Sequence, residues 1–275
     1  MAYTERIKLW EGDAPGHEEG FHDPHIKYFA PKGTPTGAAV ITFAGGGYRT
    51  RALYECESYC ELLSERGIAA FDVEYRVKPT KFPYPLLDAR RAVRFVRANA
   101  EKYGIDPSRI AVMGSSAGGH LAALVSTYTA PIDGEGVDGM DSFDFLPNAQ
   151  ILCYPVMDSY SHSASYANLL REDATIEDKD RVNPVLLASE STPPAFIWHT
   201  STDKCVDMNG SMRYAVRLHE LSVSVELHVY PVGGHGLGIG EYAEKNIDVP
   251  YVKDWVGLLI KWLGHIGYLE PAKES

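Results

Sequence analysis

Cysteine is scarce in this chain. Four residues in 275 (Cys56, Cys60, Cys153 and Cys205) are too few to suggest a disulfide framework. Cys56 and Cys60 stand one helical turn apart and could face a metal together. No nearby Cys or His pair completes a tetrahedral set, so two thiols on one helix face is the better reading, and no metal is expected. Basic charge is also short: 26 Lys and Arg against 37 Asp and Glu leave a net charge of −11. That balance speaks against nucleic acid and against an anionic membrane as partners. No stretch reaches the ~18 apolar residues that a membrane span needs. The segment Met1 to Trp10 lacks the apolar run of a signal peptide, so the expectation is a cytoplasmic protein. Internal repeats and low-complexity runs are missing as well. The length suits one α/β domain over 1–275.

What the chain does have is alternation. Strand-like runs trade with helix-like periodic segments, which predicts βαβ units around a mostly parallel sheet with helices on both faces. Arg6 to Trp10 and His25 to Ala30 read as antiparallel edge strands, and the segment between them, rich in Gly, Pro, Asp and His, reads as loop. Further strands are expected at Ala38 to Ala44, Ala69 to Val77, Arg109 to Gly114, Ile151 to Val156, Ala195 to Thr200 and Val225 to Pro231. Helices are expected at Leu53 to Arg66, from Pro85 to about Tyr103, at Ser116 to Thr127, Met208 to Leu221 and Val249 to Ile266. In the second of these, Leu86, Ala89, Val93 and Val96 form an apolar stripe, and Arg90, Arg91, Arg94 and Arg97 are read as facing water. Two connections exceed the usual loop length. Residues 130–148 are rich in Gly and Asp, and 158–193 contain a weakly helical stretch around Tyr166 to Arg171. Both are candidates to wall a substrate pocket, with plain surface insertion as the competing reading.

The strongest local signal is Gly114-Ser115-Ser116-Ala117-Gly118, a G-x-S-x-G pattern between a strand and a helix. A nucleophilic serine there must stand on a sharp turn, clear of the sheet, and its neighbours two residues away must be small enough for strand and helix to approach. The glycine spacing selects Ser116 over Ser115. A second signal, Gly45-Gly46-Gly47-Tyr48 after a strand, suits backbone N–H groups aimed at an oxyanion, where one lost donor costs ~3 kcal/mol. The N–H of Ala117 would be the other donor. A phosphate loop is excluded by the lack of a following Gly-Lys-Ser/Thr or a G-x-G-x-x-G helix start. The third signal is order. His235, in Gly233-Gly234-His235-Gly236 after the last strand, is the candidate general base. Asp203, just after the strand Ala195 to Thr200, is the candidate acid that orients it, with Asp207 and Asp158 as rivals. His199 and His228 read as packed or hydrogen-bonded residues, and His120 as packing near the site.

Phe43 to Tyr48, Phe82 to Arg97, Tyr103 to Leu121, Pro193 to Val206 and Tyr230 to Gly238 together resemble the bacterial carbohydrate acetylesterase and xylan esterase branch of the hormone-sensitive-lipase-like α/β-hydrolases. The resemblance runs from about Ala38 to the end. It implies the α/β-hydrolase fold, a serine esterase with Ser116, Asp203 and His235 as its triad, and Gly46, Gly47 and Ala117 as oxyanion donors. It implies no cofactor, and as substrate a small-molecule or oligosaccharide ester, most simply an acetylated sugar. One departure is Ala44, where many relatives carry His or Pro. Tyr48 and Tyr160 are candidate sugar contacts among the aromatics near strand ends (Tyr75, Tyr154 and Trp198 are the others), with core packing as the alternative for each. An aryl esterase or formamidase, a small serine peptidase and a non-catalytic binding protein on the same fold are the rival readings. The exposed edge strand or the C-terminal helix could join two copies into a homo-oligomer, although no pattern demands it.

Overall fold

The structure, a computed structural model, describes residues 3–242 and 247–271, so the extreme ends of the expected 1–275 domain lie outside the described residues. Strands β1 (Glu5–Lys8), β2 (His25–Phe29), β3 (Ala39–Phe43), β4 (Ala69–Glu74), β5 (Ile110–Ser115), β6 (Ala149–Cys153), β7 (Ala195–Thr200) and β8 (Val225–Tyr230) form one sheet in the order β1-β2-β4-β3-β5-β6-β7-β8. The pairs β1–β2 and β2–β4 are antiparallel and the remaining pairs are parallel. This is the mostly parallel sheet read from the alternation of the chain, and it is the α/β-hydrolase architecture. A short ladder of β9 (Glu241–Tyr242) with β10 (Ile247–Asp248) was not expected, because two-residue strands carry no periodicity.

The helices between the strands are α1 (Leu53–Ser64), α2 (Tyr84–Ala98), α3 (Ala100–Tyr103), α4 (Ala117–Thr127), α5 (Ser163–Leu169), α6 (Ile176–Asp180), α7 (Pro184–Leu187), α8 (Asn209–Glu220) and α9 (Pro250–His265). The single helix expected from Pro85 to Tyr103 is interrupted at Asn99, whose amide donates back to Phe95 O. Strand residues alternate between two cores. Ala39, Ile41 and Phe43 of β3 join Leu86, Val93, Leu121 and Leu218 on one face. Val40, with Ala111 and Met113 of β5, joins Tyr59, Leu63, Trp255 and Leu259 on the other. Every residue of β3, β4 and β5 is buried, as strands covered on both faces require.

Two expectations need correction here. Arg90, Arg91 and Arg94 do not face water: they are 0%, 2% and 7% exposed. Arg90 and Arg94 clasp Glu135 at 2.9 and 3.0 Å, Arg91 binds Asp138 at 2.6 Å and Arg94 also binds Asp141 at 2.8 Å. Arg97, half-buried, donates to Asp144 O and Leu146 O. Helical periodicity marks which positions share a face, but not that an acidic segment some 45 residues later will cover that face. The same contacts correct the second expectation. Residues 130–148 are not among those that line the cleft at Ser116: α4 starts directly after Ser116 and carries the chain about 16 Å away from it over eleven residues. The segment packs instead as a strap over α2.

Removing one partner of a buried ion pair leaves the other charge uncompensated. Glu135→Ala is therefore expected to lower the unfolding free energy by about 3 kcal/mol in urea melts, with no change in chemistry at Ser116.

Candidate active site

Ser116 sits between β5 and α4 with φ 54° and ψ −119°, in the left-handed region that side chains rarely adopt. The turn is clamped from both sides. Ser116 N–H donates to Cys153 O at 3.0 Å, and Val156 N–H donates to Ser116 O at 3.0 Å. A methyl on Gly114 would overlap the Gly118 carbonyl, and one on Gly118 would overlap the Phe43 carbonyl. The two glycines are thus a steric condition for the turn. Ser115, the rival hydroxyl, is fully buried and bonded to Tyr59 Oη at 2.7 Å.

His235 enters from the loop after β8. Its Nε2 accepts from Ser116 Oγ at 2.8 Å, and its Nδ1–H donates to Asp203 Oδ2 at 2.6 Å. Asp203 lies in the turn after β7, with its side chain 1% exposed. Its Oδ1 accepts the N–H groups of Cys205 and Val206 at 2.8 and 3.0 Å. His199 Nε2, which donates to Val206 O at 3.2 Å, also lies 3.3 Å from Oδ2. Burial opposes the charge on Asp203, but the hydrogen bonds from His199 and His235 outweigh it and hold the carboxyl well below the usual carboxylate range. The rival acids are engaged elsewhere: Asp158 binds Arg213 at 2.6 Å and Asp207 binds Asn209. The loop that carries His235 is fixed by Thr200 Oγ1 donating to Gly234 O, Thr202 Oγ1 to Gly233 O and Tyr54 Oη to Gly236 O.

The glycine loop after β3 lies beside the serine. Gly46 and Gly47 have φ of 120° and 64°. Among the described residues, no hydrogen bond takes up the N–H of Gly46, Gly47 or Ala117, the last of these heading a helix whose first N–H groups lack internal partners. The loop's other polar atoms are tied down. Ala44 O accepts Tyr75 Oη, Gly45 N–H donates to Glu55, and Gly47 O accepts Asn168 Nδ2 at 2.9 Å. Ala44 thus contributes through its carbonyl.

Ser116, His235, Gly46 and Gly47 line one cleft of about 410 Å³, shared with His162, Ala164 and Asn168 of the 158–193 segment and with Cys205. That segment therefore does wall the cleft. Tyr48 and Tyr160 do not. Tyr48 is buried, with Oη 2.7 Å from His120 Nδ1, and Tyr160 is 78% exposed outside the cleft. Burial rules out Tyr48 as a sugar contact. Tyr75, Tyr154 and Trp198 are fully buried as well. His120 is held between Tyr48, Tyr166 and Val182 O, and burial pushes it down to about 4, so it stays neutral. At the cleft mouth, Cys205 Sγ is 3.9 Å from His162 Nε2. Burial and the Asp203 charge hold that thiol above its ordinary range.

The sequence marked His199 only as a packed or hydrogen-bonded residue, and gave no role to Glu55 or Asn168, which also touch this machinery. The four-residue spacing of His199 and Asp203 was a usable signal, whereas nothing local marked Glu55 or Asn168. Away from the cleft, His22, His25 and Glu74 bring ligand atoms within 4.8 Å of one another. Glu74 is already neutralised by Arg6 at 2.6 Å and Lys27 at 3.2 Å, which leaves little charge for a cation.

A hydrogen-bonded Ser–His–Asp relay beside free N–H groups is the apparatus of acyl transfer. The family model described as BD-FAE matches residues 27–218. Endo-1,4-beta-xylanase B of Butyrivibrio fibrisolvens is 29% identical over 85% of this chain and 38% of its own length. Acetylxylan esterase of Xylanibacter ruminicola is 30% identical over 78% of this chain and 44% of its own. The chain thus spans less than half the length of these curated relatives. Among solved structures, the acetyl ester-xyloside bifunctional hydrolase of Caldicellulosiruptor lactoaceticus superimposes with a TM-score of 0.88 at 39% identity, covering 96% of this chain and 97% of that one.

Proposed function

Because the chain belongs to the BD-FAE family of α/β-hydrolases, we propose that it is a serine carboxylic-ester hydrolase that removes acetyl groups from acetylated sugars or oligosaccharides. The observation that carries the chemistry is the relay Ser116 Oγ to His235 Nε2 at 2.8 Å and His235 Nδ1 to Asp203 at 2.6 Å. In this reading Ser116 Oγ attacks the ester carbonyl while His235 takes its proton. The new oxyanion accepts from the N–H groups of Gly46, Gly47 and Ala117. Collapse breaks the ester C–O bond, and His235 protonates the departing sugar hydroxyl. Water then attacks the acyl-serine by the same route and releases acetate. Asp203 keeps the imidazole in the tautomer that this sequence needs. The sugar assignment is supported by the names of the relatives, acetylxylan esterase and acetyl ester-xyloside hydrolase, and by an open cleft with room for more than an acyl group.

The test is acetate release from acetylated xylo- and manno-oligosaccharides beside 4-nitrophenyl acetate and butyrate. Release from the sugars at rates matching or exceeding the nitrophenyl acetate supports the reading. Turnover of the nitrophenyl esters alone would keep the esterase and reject the sugar.

The oxyanion loop gives a sharper check. A methyl at position 46 would overlap the Thr50 carbonyl at a φ of 120°. Gly46→Ala is expected to cut kcat about a hundredfold, the scale of one lost oxyanion donor, with a smaller change in KM.

A further inference from the structure

We propose that Glu55 is a second buried carboxylate of this site, a positioning residue that ties the oxyanion loop to the histidine loop through Tyr154. The inference rests on the esterase reading above. Glu55 stands in the first turn of α1 and is 2% exposed. Both of its oxygens are engaged. Oε2 accepts the N–H of Gly45, the residue before the two candidate oxyanion glycines, at 2.9 Å. Oε1 accepts Tyr154 Oη at 2.8 Å. The same Tyr154 oxygen accepts Gly238 N–H at 2.9 Å, three residues beyond His235. The Tyr154 ring meets the His235 imidazole edge-to-face, with centroids 5.1 Å apart at 71°. A continuous chain from Gly45 through Glu55 and Tyr154 to Gly238 therefore runs behind the serine. It links the loop after β3 to the loop after β8.

The choice of a carboxylate is informative. Burying an ionisable group is costly, and a packed apolar residue at the same place would stabilise the fold at least as well. Burial pushes the Glu55 carboxyl above its ordinary range, and the Tyr154 hydroxyl, the Gly45 N–H and His235 offset that only in part. What the group supplies is two acceptor oxygens in fixed places, one for each neighbour. The same oxygens hold Gly45, so the donors of the oxyanion loop and the base keep one relative placement. Tyr154 pays for its part with a φ of 37°, held by its N–H donating to Trp198 O at 2.7 Å.

The test uses the full chain with Glu55→Gln, Tyr154→Phe and the double variant. Steady-state kinetics on 4-nitrophenyl acetate are read beside fluorophosphonate labelling of Ser116. Each single variant is expected to lower kcat ten- to a hundredfold, roughly the cost of misplacing reacting groups by an ångström, with KM little changed. The double variant should lose no more than the more impaired single variant, because both substitutions break one chain of contacts. Wild-type kcat in Glu55→Gln, losses that multiply in the double variant, or a loss confined to KM would each overturn the proposal. If Glu55→Gln does not fold, Tyr154→Phe decides alone: reduced kcat at constant KM supports the proposal, and unchanged kcat overturns it. A wild-type chain that neither turns over the ester nor takes the label fails the esterase reading and this inference with it. An active wild type beside a fully active Glu55→Gln fails the inference only.

Discussion

Ser116→Ala should reduce ester turnover about a millionfold, the loss seen when the nucleophile of a serine hydrolase relay is removed, and should abolish fluorophosphonate labelling. The fold should survive it. The serine contributes one hydrogen bond, to His235, and the backbone bonds that hold the turn belong to Ser116 N–H and O, which alanine keeps. Alanine also meets the same left-handed φ as serine, so the strain is neither added nor relieved. A residual rate above background from the oxyanion loop alone is expected, because the donors at Gly46, Gly47 and Ala117 remain. Full activity in Ser116→Ala would move the chemistry away from this cleft altogether. Ser115 could not take over, since its hydroxyl is buried against Tyr59.

Asp203→Asn is expected to cost about ten-thousandfold in kcat, the scale for an acid replaced by an amide of the same shape. The reason is the tautomer. An amide can present its NH2 to His235 Nδ1, which then accepts, placing the imidazole proton on Nε2 where the serine proton must go. The same substitution has a stability signature. The Asp203 carboxyl lies well below its ordinary range in the folded chain. Its contribution to folding is therefore fully present above the ordinary carboxylate range, near pH 4, and is lost as pH falls below it. Melts of the wild type between about pH 6 and pH 3, a window that spans the carboxylate range, should fall more steeply than those of Asp203→Asn. Parallel slopes would mean that the His199 and His235 contacts do not favour the charged form. His199 enters the same comparison: His199→Phe removes one donor and should shrink the difference in part.

The site was more legible than the surface around it, for a physical reason. Ser116 and its glycines are selected by sterics within five residues, and the structure gives the same account: Gly114 and Gly118 have no room for a side chain. His235 and Asp203 could be placed because strand ends in a parallel sheet converge on one edge, so order along the chain predicts proximity. The arginines of α2 failed as readings because their partners, Glu135, Asp138 and Asp141, lie in a segment with no regular period. Tyr48, a candidate as an aromatic near a strand end, follows the core-packing alternative instead: with a φ of 57° its side chain is buried against His120. Glu55 was invisible because a glutamate near the start of a helix is ordinary in sequence, and only the fold brings Gly45 and Tyr154 to it.

Of the four thiols, Cys56, Cys60 and Cys153 are buried and Cys205 alone is exposed, at the mouth of the cleft. An alkylating dye applied to the native chain should therefore attach at one address, without any engineering of the other cysteines. Because the thiol is held above its ordinary range, attachment should be slow at neutral pH and quicken in mildly alkaline buffer. A ligand lying in the cleft would shield it. The rate of dye attachment to the Ser116→Ala chain then becomes a gauge of occupancy that needs no turnover, and it ranks acylated sugars by how well they sit rather than by how fast they are cut.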